Sequence, residues 1–351
     1  MKTLSRIRGE PMSQAATKLG EETHIRTMIK LYYDIQKLRV AVGNRIKVKE
    51  FIRCPNGHLI PYPKRKVKQR KFTGRCPICG AEVEVVEVVP PALLGTIHGE
   101  LRDIEKGIYA YIYQYVSKHK FWSEYLKYVK GIGPVLAAGL ITILNPARFE
   151  TVSKMWKYAG LHVEFACPHC GYVSDAPGRC PRCGMMLVGR APRRVAGRKV
   201  SWNPAARHLC WLIGRSFQMT GGVYKGFYRK FLEESLRNPK HRDWTMAHHI
   251  AHARRVTTKL FLSHWYSVGR EMMGLPWRKP YIVELRPHEY IPPVIDYVGD
   301  YTKDQFYRRY VKRVLEEVGL DEAVYESLIR TLNGLQNVEE MVSSEDQGEH
   351  K

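Results

Sequence analysis

Between Glu22 and Lys49 the apolar positions Met28, Leu31, Ile35, Leu38 and Val42 step by three and four residues, which draws one stripe along a helix. A second helix is predicted from about Ala92 to Lys118. Its stripe, Leu94, Ile97, Leu101, Ile104, Ile108, Tyr111 and Tyr115, keeps a strict three-four spacing, the period of a coiled-coil seam. Between the two helices, Glu82 to Val89 mixes glutamate with β-branched valine and reads as a strand. This order implies an antiparallel helical hairpin with a small β-rich knob at its tip. Further along, residues 120–161 read as helical around a Gly-rich turn. Ala205–Leu236 and His248–Met273 continue the helical pattern, Pro276–Pro293 reads as extended, and Thr302–Leu335 as a last helix.

The charge balance changes the picture. The 351 residues hold 57 Lys plus Arg against 34 Asp plus Glu, a formal net charge of +23, which points to a polyanionic partner. With 44% hydrophobic residues the chain is too apolar for wholesale disorder. It also lacks an apolar run of about 18 residues, so no membrane association is expected. Met1 to Gln14 shows no apolar secretory core, which makes a reducing cytoplasm the expected location.

Seven of the eight cysteines stand in or beside Cys-x2-Cys pairs. Cys167-Pro-His-Cys170 and Cys180-Pro-Arg-Cys183-Gly184 supply four thiolates, the closed tetrahedral set that zinc prefers and that leaves no position open for catalysis. Cys54-Pro-Asn-Gly-His58 followed by Cys76-Pro-Ile-Cys79-Gly80 forms a three-cysteine set, completed by His58 as fourth ligand. Two structural zinc ions are therefore expected, each holding a small ribbon that could not bury a core alone. Cys210, beside Trp211, reads as a core thiol. Basic runs flank the ribbons: Lys64, Arg65, Lys66, Lys68, Arg70 and Lys71 give six bases in eight positions, and Arg190, Arg193, Arg194, Arg198 and Lys199 follow the second ribbon. Such loops suit phosphates. His248, His249, His252 and His264 read as polar-face residues of one helix.

The stretch Tyr125 to Leu140 has the form of a helix-hairpin-helix. Its turn, Gly131-Ile132-Gly133, is expected to aim backbone N–H groups at a phosphate while Ile132 anchors it in the core. The turn is followed by Asn145-Pro-Ala-Arg-Phe149 and Trp156-Lys-Tyr158-Ala-Gly160-Leu161. In this order the segments resemble the C-terminal domain of the IS-one-ten transposase family, with its IS-one-one-six relatives. The resemblance extends more loosely through Arg198–Gly214 and Ala251–Leu262, covering roughly residues 92–275. It implies a mobile-element protein acting on DNA, with RNA as the alternative polyanion.

Two departures bear on activity. The family carries an N-terminal RNase H-like domain with an acidic tetrad, and residues 1–91 are too short and wrongly patterned to build one. Its nucleophilic serine is expected where Ala196 stands here, and an alanine cannot attack a phosphate. Ser201 is the substitute candidate, with an N-cap or turn role before Asn203-Pro204 as its plainer reading.

The fold class expected is mainly α: a helical hairpin or coiled coil plus a helix-hairpin-helix domain, with two small β-rich zinc ribbons inserted. The domains run as a flexible arm (1–20), a hairpin (21–50 and 90–120), ribbon 1 (51–89) and a transposase-like domain (121–161 and 190–275). Ribbon 2 (162–189), a C-terminal extension (276–336) and an acidic disordered tail (337–351) complete them. Three functions are compatible: a nucleic-acid binder without autonomous catalysis, a recombinase completed by a partner chain, or a zinc-stapled coiled-coil scaffold. Because the long stripe exceeds what one helix covers, the hairpin is expected to pair as a homodimer.

Overall fold

The computed structural model describes residues 12–47, 49–61, 74–195, 197, 199–278, 290–297 and 300–332. The protein is mainly helical and carries two three-stranded antiparallel sheets. It divides into two compact units, one of residues 27–111 and one of 1–26 with 112–351.

In the smaller unit, α1 (Met12–Arg45) is followed by β1 (Lys49–Arg53), β2 (Leu59–Pro61), β3 (Glu84–Val88) and the start of α2 (Ala92–Ser117). The sheet order is β2-β1-β3, and β3 pairs along the whole of β1, from Lys49 opposite Val88 to Arg53 opposite Glu84. Helix α1 opens at Met12, so residues 12–19 are helical where a flexible arm was expected. Helix periodicity there is hidden by small and polar residues.

Both helices run antiparallel here, with Gly43 beside His98 and Gln36 bonded to Glu105. The buried face of α2 is set by Leu101, Glu105, Ile108, Ile112 and Tyr115. That shares every seventh residue with the expected seam but replaces Ile104 and Tyr111, which are exposed, by Glu105 and Ile112. The reason is Glu105: a pattern search discards a charged residue, yet its carboxylate accepts from Gln36 Nε2 at 2.9 Å and from Arg39 Nε. On α1, Leu31 and Leu38 are likewise exposed.

The larger unit is built around α8 (Met246–Met272), whose Phe261, Leu262, Trp265 and Val268 have no exposed surface. Against it pack α3 (Lys120–Glu124), α5 (Val152–Tyr158), α6 (Pro204–Met219) and α7 (Val223–Arg237). Close approach needs glycine: a Cβ at Gly269 would stand 2.5 Å from the Pro146 ring. Trp265 Nε1 donates to Leu144 O at 2.8 Å, tying α8 to the end of α4 (Pro134–Ile143). The second sheet, β5-β4-β6 with β4 at Glu164–Ala166, β5 at Val173–Ser174 and β6 at Val188–Arg190, forms the second ribbon.

The helical segments are shorter than expected. Residues 120–161 break into α3, a 3-10 turn (Leu126–Tyr128), α4 and α5. Ala205–Leu236 breaks at Thr220–Gly222, and the last helix breaks at Gly319, whose φ is +66°. His264 is not on a polar face but fully buried, its Nδ1 2.8 Å from the Tyr224 hydroxyl and its Nε2–H donating to Ile291 O at 2.9 Å.

Candidate metal centres

Each ribbon brings its four expected ligands together, with all ligand atoms of a set within 4.8 Å of one another. In the second, Cys167 and Cys183 sulfurs are 3.3 Å apart, Cys170 and Cys180 3.4 Å, and Cys170 and Cys183 3.7 Å. A disulfide needs about 2.05 Å. A tetrahedral ion with bonds of about 2.3 Å needs sulfurs about 3.8 Å apart, close to what is observed. In the first, Cys54 Sγ lies 3.3 Å from His58 Nδ1 and 3.7 Å from Cys79 Sγ, and Cys76 Sγ lies 3.7 Å from His58 Nδ1.

The local backbone explains why these sequences fold so. In three of the loops the first cysteine N–H donates to a carbonyl five residues on: Cys76 to Ala81, Cys167 to Tyr172 and Cys180 to Met185, at 2.7–2.8 Å. The glycine after each pair, Gly80, Gly171 and Gly184, takes φ of +71°, +68° and +73° and returns its N–H to the first cysteine carbonyl. A side chain there would meet its own carbonyl. The first loop of ribbon 1 is the shorter variant, Cys54 N–H to His58 O, with Gly57 at φ +81°.

Hydrogen bonds to sulfur favour the metal-binding thiolate. The Ala81 N–H and the Asn56 amide bring the Cys79 thiol down to about 6. The Cys170 N–H does the same for Cys167, also to about 6, while burial raises Cys54 and the neighbouring thiols raise Cys170 and Cys183 of the same sets. With four protein ligands each, both sets are closed, and a bound ion would supply folding energy to these small three-stranded sheets. Cys210 stands apart, buried, its thiol pushed up to about 12 by burial.

A family model described as a heavy metal binding domain matches residues 165–190. Those are the residues of ribbon 2. No curated protein and no solved structure matches the chain.

The remaining site residues are placed as follows. Gly131 takes φ +96°, with Phe217 3.1 Å from where its Cβ would be, and its carbonyl accepts from Ser216 Oγ at 2.6 Å. Ile132 is buried, while Gly133, at φ −84°, is exposed and opens α4 as its N-cap before Pro134. The Lys130 N–H beside this turn donates to Asp296 Oδ2 at 2.7 Å, and the Val223 N–H at the start of α7 donates to Asp296 Oδ1 at 2.9 Å. Arg193 and Lys199 are exposed and line a cavity of about 270 Å³ together with Arg190, His162, Trp202 and Ser201. Arg194 is exposed on the same loop. Ser201 does not cap α6: Asn203 does, its Oδ1 accepting from Ala206 N at 3.0 Å. Lys64, Arg65, Lys66, Lys68, Arg70, Lys71, Ala196 and Arg198 lie outside the described residues, as does the acidic tail 337–351. Sequence reading missed a set of half-buried cations, Arg207, Arg255 and Lys259, because they come from two helices distant in sequence. No helix among the described residues is long and apolar enough to cross a membrane.

Proposed function

We propose that this chain is a zinc-containing nucleic-acid-binding protein, its helical body related to a transposase C-terminal domain, that binds DNA without cutting it. The observation that carries the reading is the pairing of two closed four-ligand sets with a net charge of +23. Closed sets serve architecture and leave no reactive metal position. A solubilising surface needs only about 2–8 net charges, so the surplus supports a polyanion over a plain scaffold. Zinc fits the donor chemistry best, since three or four thiolates at tetrahedral spacing suit a borderline-soft ion. The metals would hold Cys54, His58, Cys76 and Cys79 in one ribbon and Cys167, Cys170, Cys180 and Cys183 in the other.

The test is the salt dependence of binding to duplex and single-stranded DNA. Log affinity should fall linearly with log salt, by about 0.9 per phosphate neutralised on duplex or 0.7 on single strands. Binding insensitive to salt would defeat the reading. Ser201 favours a second reading, a recombinase completed by a partner chain, because it is exposed in a cavity beside Arg193 and Lys199. That reading requires a covalent protein–DNA adduct in the presence of Mg²⁺ that Ser201→Ala abolishes.

A further inference from the structure

Burial of charge without a counter-ion is costly, and a fold retains such a group where a neighbouring group balances it or where a ligand does. On α8, His252, Arg255 and Lys259 follow one another at three and four residues and so share a face. Arg207, from α6, joins them: its charge opposes that of Arg255, which in turn opposes that of Lys259. All four side chains are partly buried. Burial, then Arg255, brings Lys259 down to about 8, and burial, then His241 and Arg255, lowers His252.

Glu164 offsets part of the Arg207 charge without forming an ion pair with it, and no acid does so for Arg255 or Lys259. The nearby carboxylates are committed elsewhere, Glu164 to Arg190 at 2.8 Å and Asp175 to Lys157 at 2.7 Å. Among the described residues Arg207, Arg255 and Lys259 form no ion pair. Their fixed partners are neutral. Arg207 Nη1 donates to Gly160 O at 3.4 Å, and Arg255 Nη2 donates to Leu161 O at 2.7 Å and to His162 O. These carbonyls follow the C-terminus of α5 and hold each guanidinium by one edge. Indole faces hold the rest: Arg207 lies over Trp202 at 4.7 Å and Lys259 over Trp156 at 4.3 Å.

A second, independent observation falls at the same place. Four buried side-chain polar atoms lack a hydrogen-bond partner among the described residues, and three of them are here: Arg255 Nε and both ring nitrogens of His162. Oriented cations with unspent donors, flanked by aromatic faces, are the composition of a phosphate seat on a nucleic-acid strand.

We propose that Arg207, Arg255 and Lys259, with His162 beside them, form a phosphate-binding site that engages the sugar-phosphate backbone of a nucleic acid. This rests on the nucleic-acid reading and gives it a location that the sequence motifs did not indicate.

The experiment has two arms on the full-length, metal-loaded chain. In the first, inorganic phosphate and pyrophosphate are titrated at constant ionic strength against chloride while thermal unfolding is followed. Phosphate should raise the unfolding temperature beyond chloride, and Lys259→Gln should remove that increment. Arg255→Gln should do so too, but it also releases the end of α5. Lys259, with no side-chain hydrogen bond to lose, is therefore the deciding position. In the second, a labelled oligothymidine of about 20 nucleotides is followed by fluorescence anisotropy, where Lys259→Gln should weaken binding roughly tenfold and flatten the salt slope by nearly one phosphate. An unchanged phosphate increment and unchanged oligonucleotide affinity in Lys259→Gln overturn the site while leaving the nucleic-acid reading standing. Failure of the unmodified chain to bind oligothymidine or duplex overturns the reading itself. The site is then judged on the phosphate arm, where loss of the increment in Lys259→Gln supports a seat for free phosphate and its retention removes the site.

Discussion

At the scale of single residues, the metal centres depend on glycine as much as on cysteine. Gly171, at φ +68°, closes the Cys167 loop with its own N–H. Gly171→Ala leaves all four thiolates in place but forces a side chain into the left-handed region, at about 1–2 kcal/mol. Competition with a chromophoric chelator should show metal leaving this variant more readily, and unchanged retention would mean the loop adapts. His264 sets a second expectation. Its buried ring accepts from Tyr224 and donates to Ile291 O, and burial brings it down to about 4 from 6.5. The unfolded chain therefore binds a proton that the folded one refuses between these values. Stability should fall as pH drops below 6.5, by about 1.4 kcal/mol per pH unit, and flatten near 4. Denaturant titrations along that range, with His264→Gln as the comparison, measure it. The cysteine ligands were legible because a Cys-x2-Cys-Gly loop is local. His264 was not, since only tertiary packing of α7 and the 290–297 segment encloses it.

Among the elements, the hairpin helices carry more apolar surface than they bury. Glu105 displaces Ile104 from the buried face, and Leu31, Leu38, Leu93, Ile104 and Tyr111 are left exposed in the smaller unit. The sequence showed the correct seven-residue period but placed the second position of each repeat one residue early, at Ile104 and Tyr111, because a carboxylate bonded by Gln36 and Arg39 behaves as a core residue only in three dimensions. A second copy of the chain, laid along this surplus stripe, would cover it. Light scattering at micromolar concentration should then give a dimer mass, and Leu38→Glu with Ile104→Glu should return it to the monomer. A monomer in the unmodified chain would mean that the stripe stays in water. Breaks at Gly131, Thr220–Gly222 and Gly319 explain the other overlong helix expectations, since an apolar period carries across a tight turn unseen.

For the whole molecule, most of the buried apolar side chains among the described residues lie in the helices, so bound metal would matter most to the two sheets. Elemental analysis should find about two metal ions per chain, and a value near one would spare ribbon 2 and remove His58 from the first set. Chelation should abolish nucleic-acid binding that runs through the ribbons yet leave the far-ultraviolet helix signal nearly intact. The mainly helical class and the two inserted ribbons were readable from period and spacing. The cation cluster was not, because Arg207 and Arg255 meet only through the end of α5.

Asp296 has a consequence for the order in which the chain can finish folding as it leaves the ribosome. Its carboxylate accepts from the N–H groups of Lys130 and Val223, and its own N–H returns to Tyr128 O at 3.0 Å. The turn at Gly131 and the start of α7 are therefore synthesised well before the group that satisfies them. Until residue 296 has emerged, both amides must be served by water, and the two segments cannot be locked together. The turn that opens α4 is one of the first parts of the larger unit to be made and one of the last to be completed.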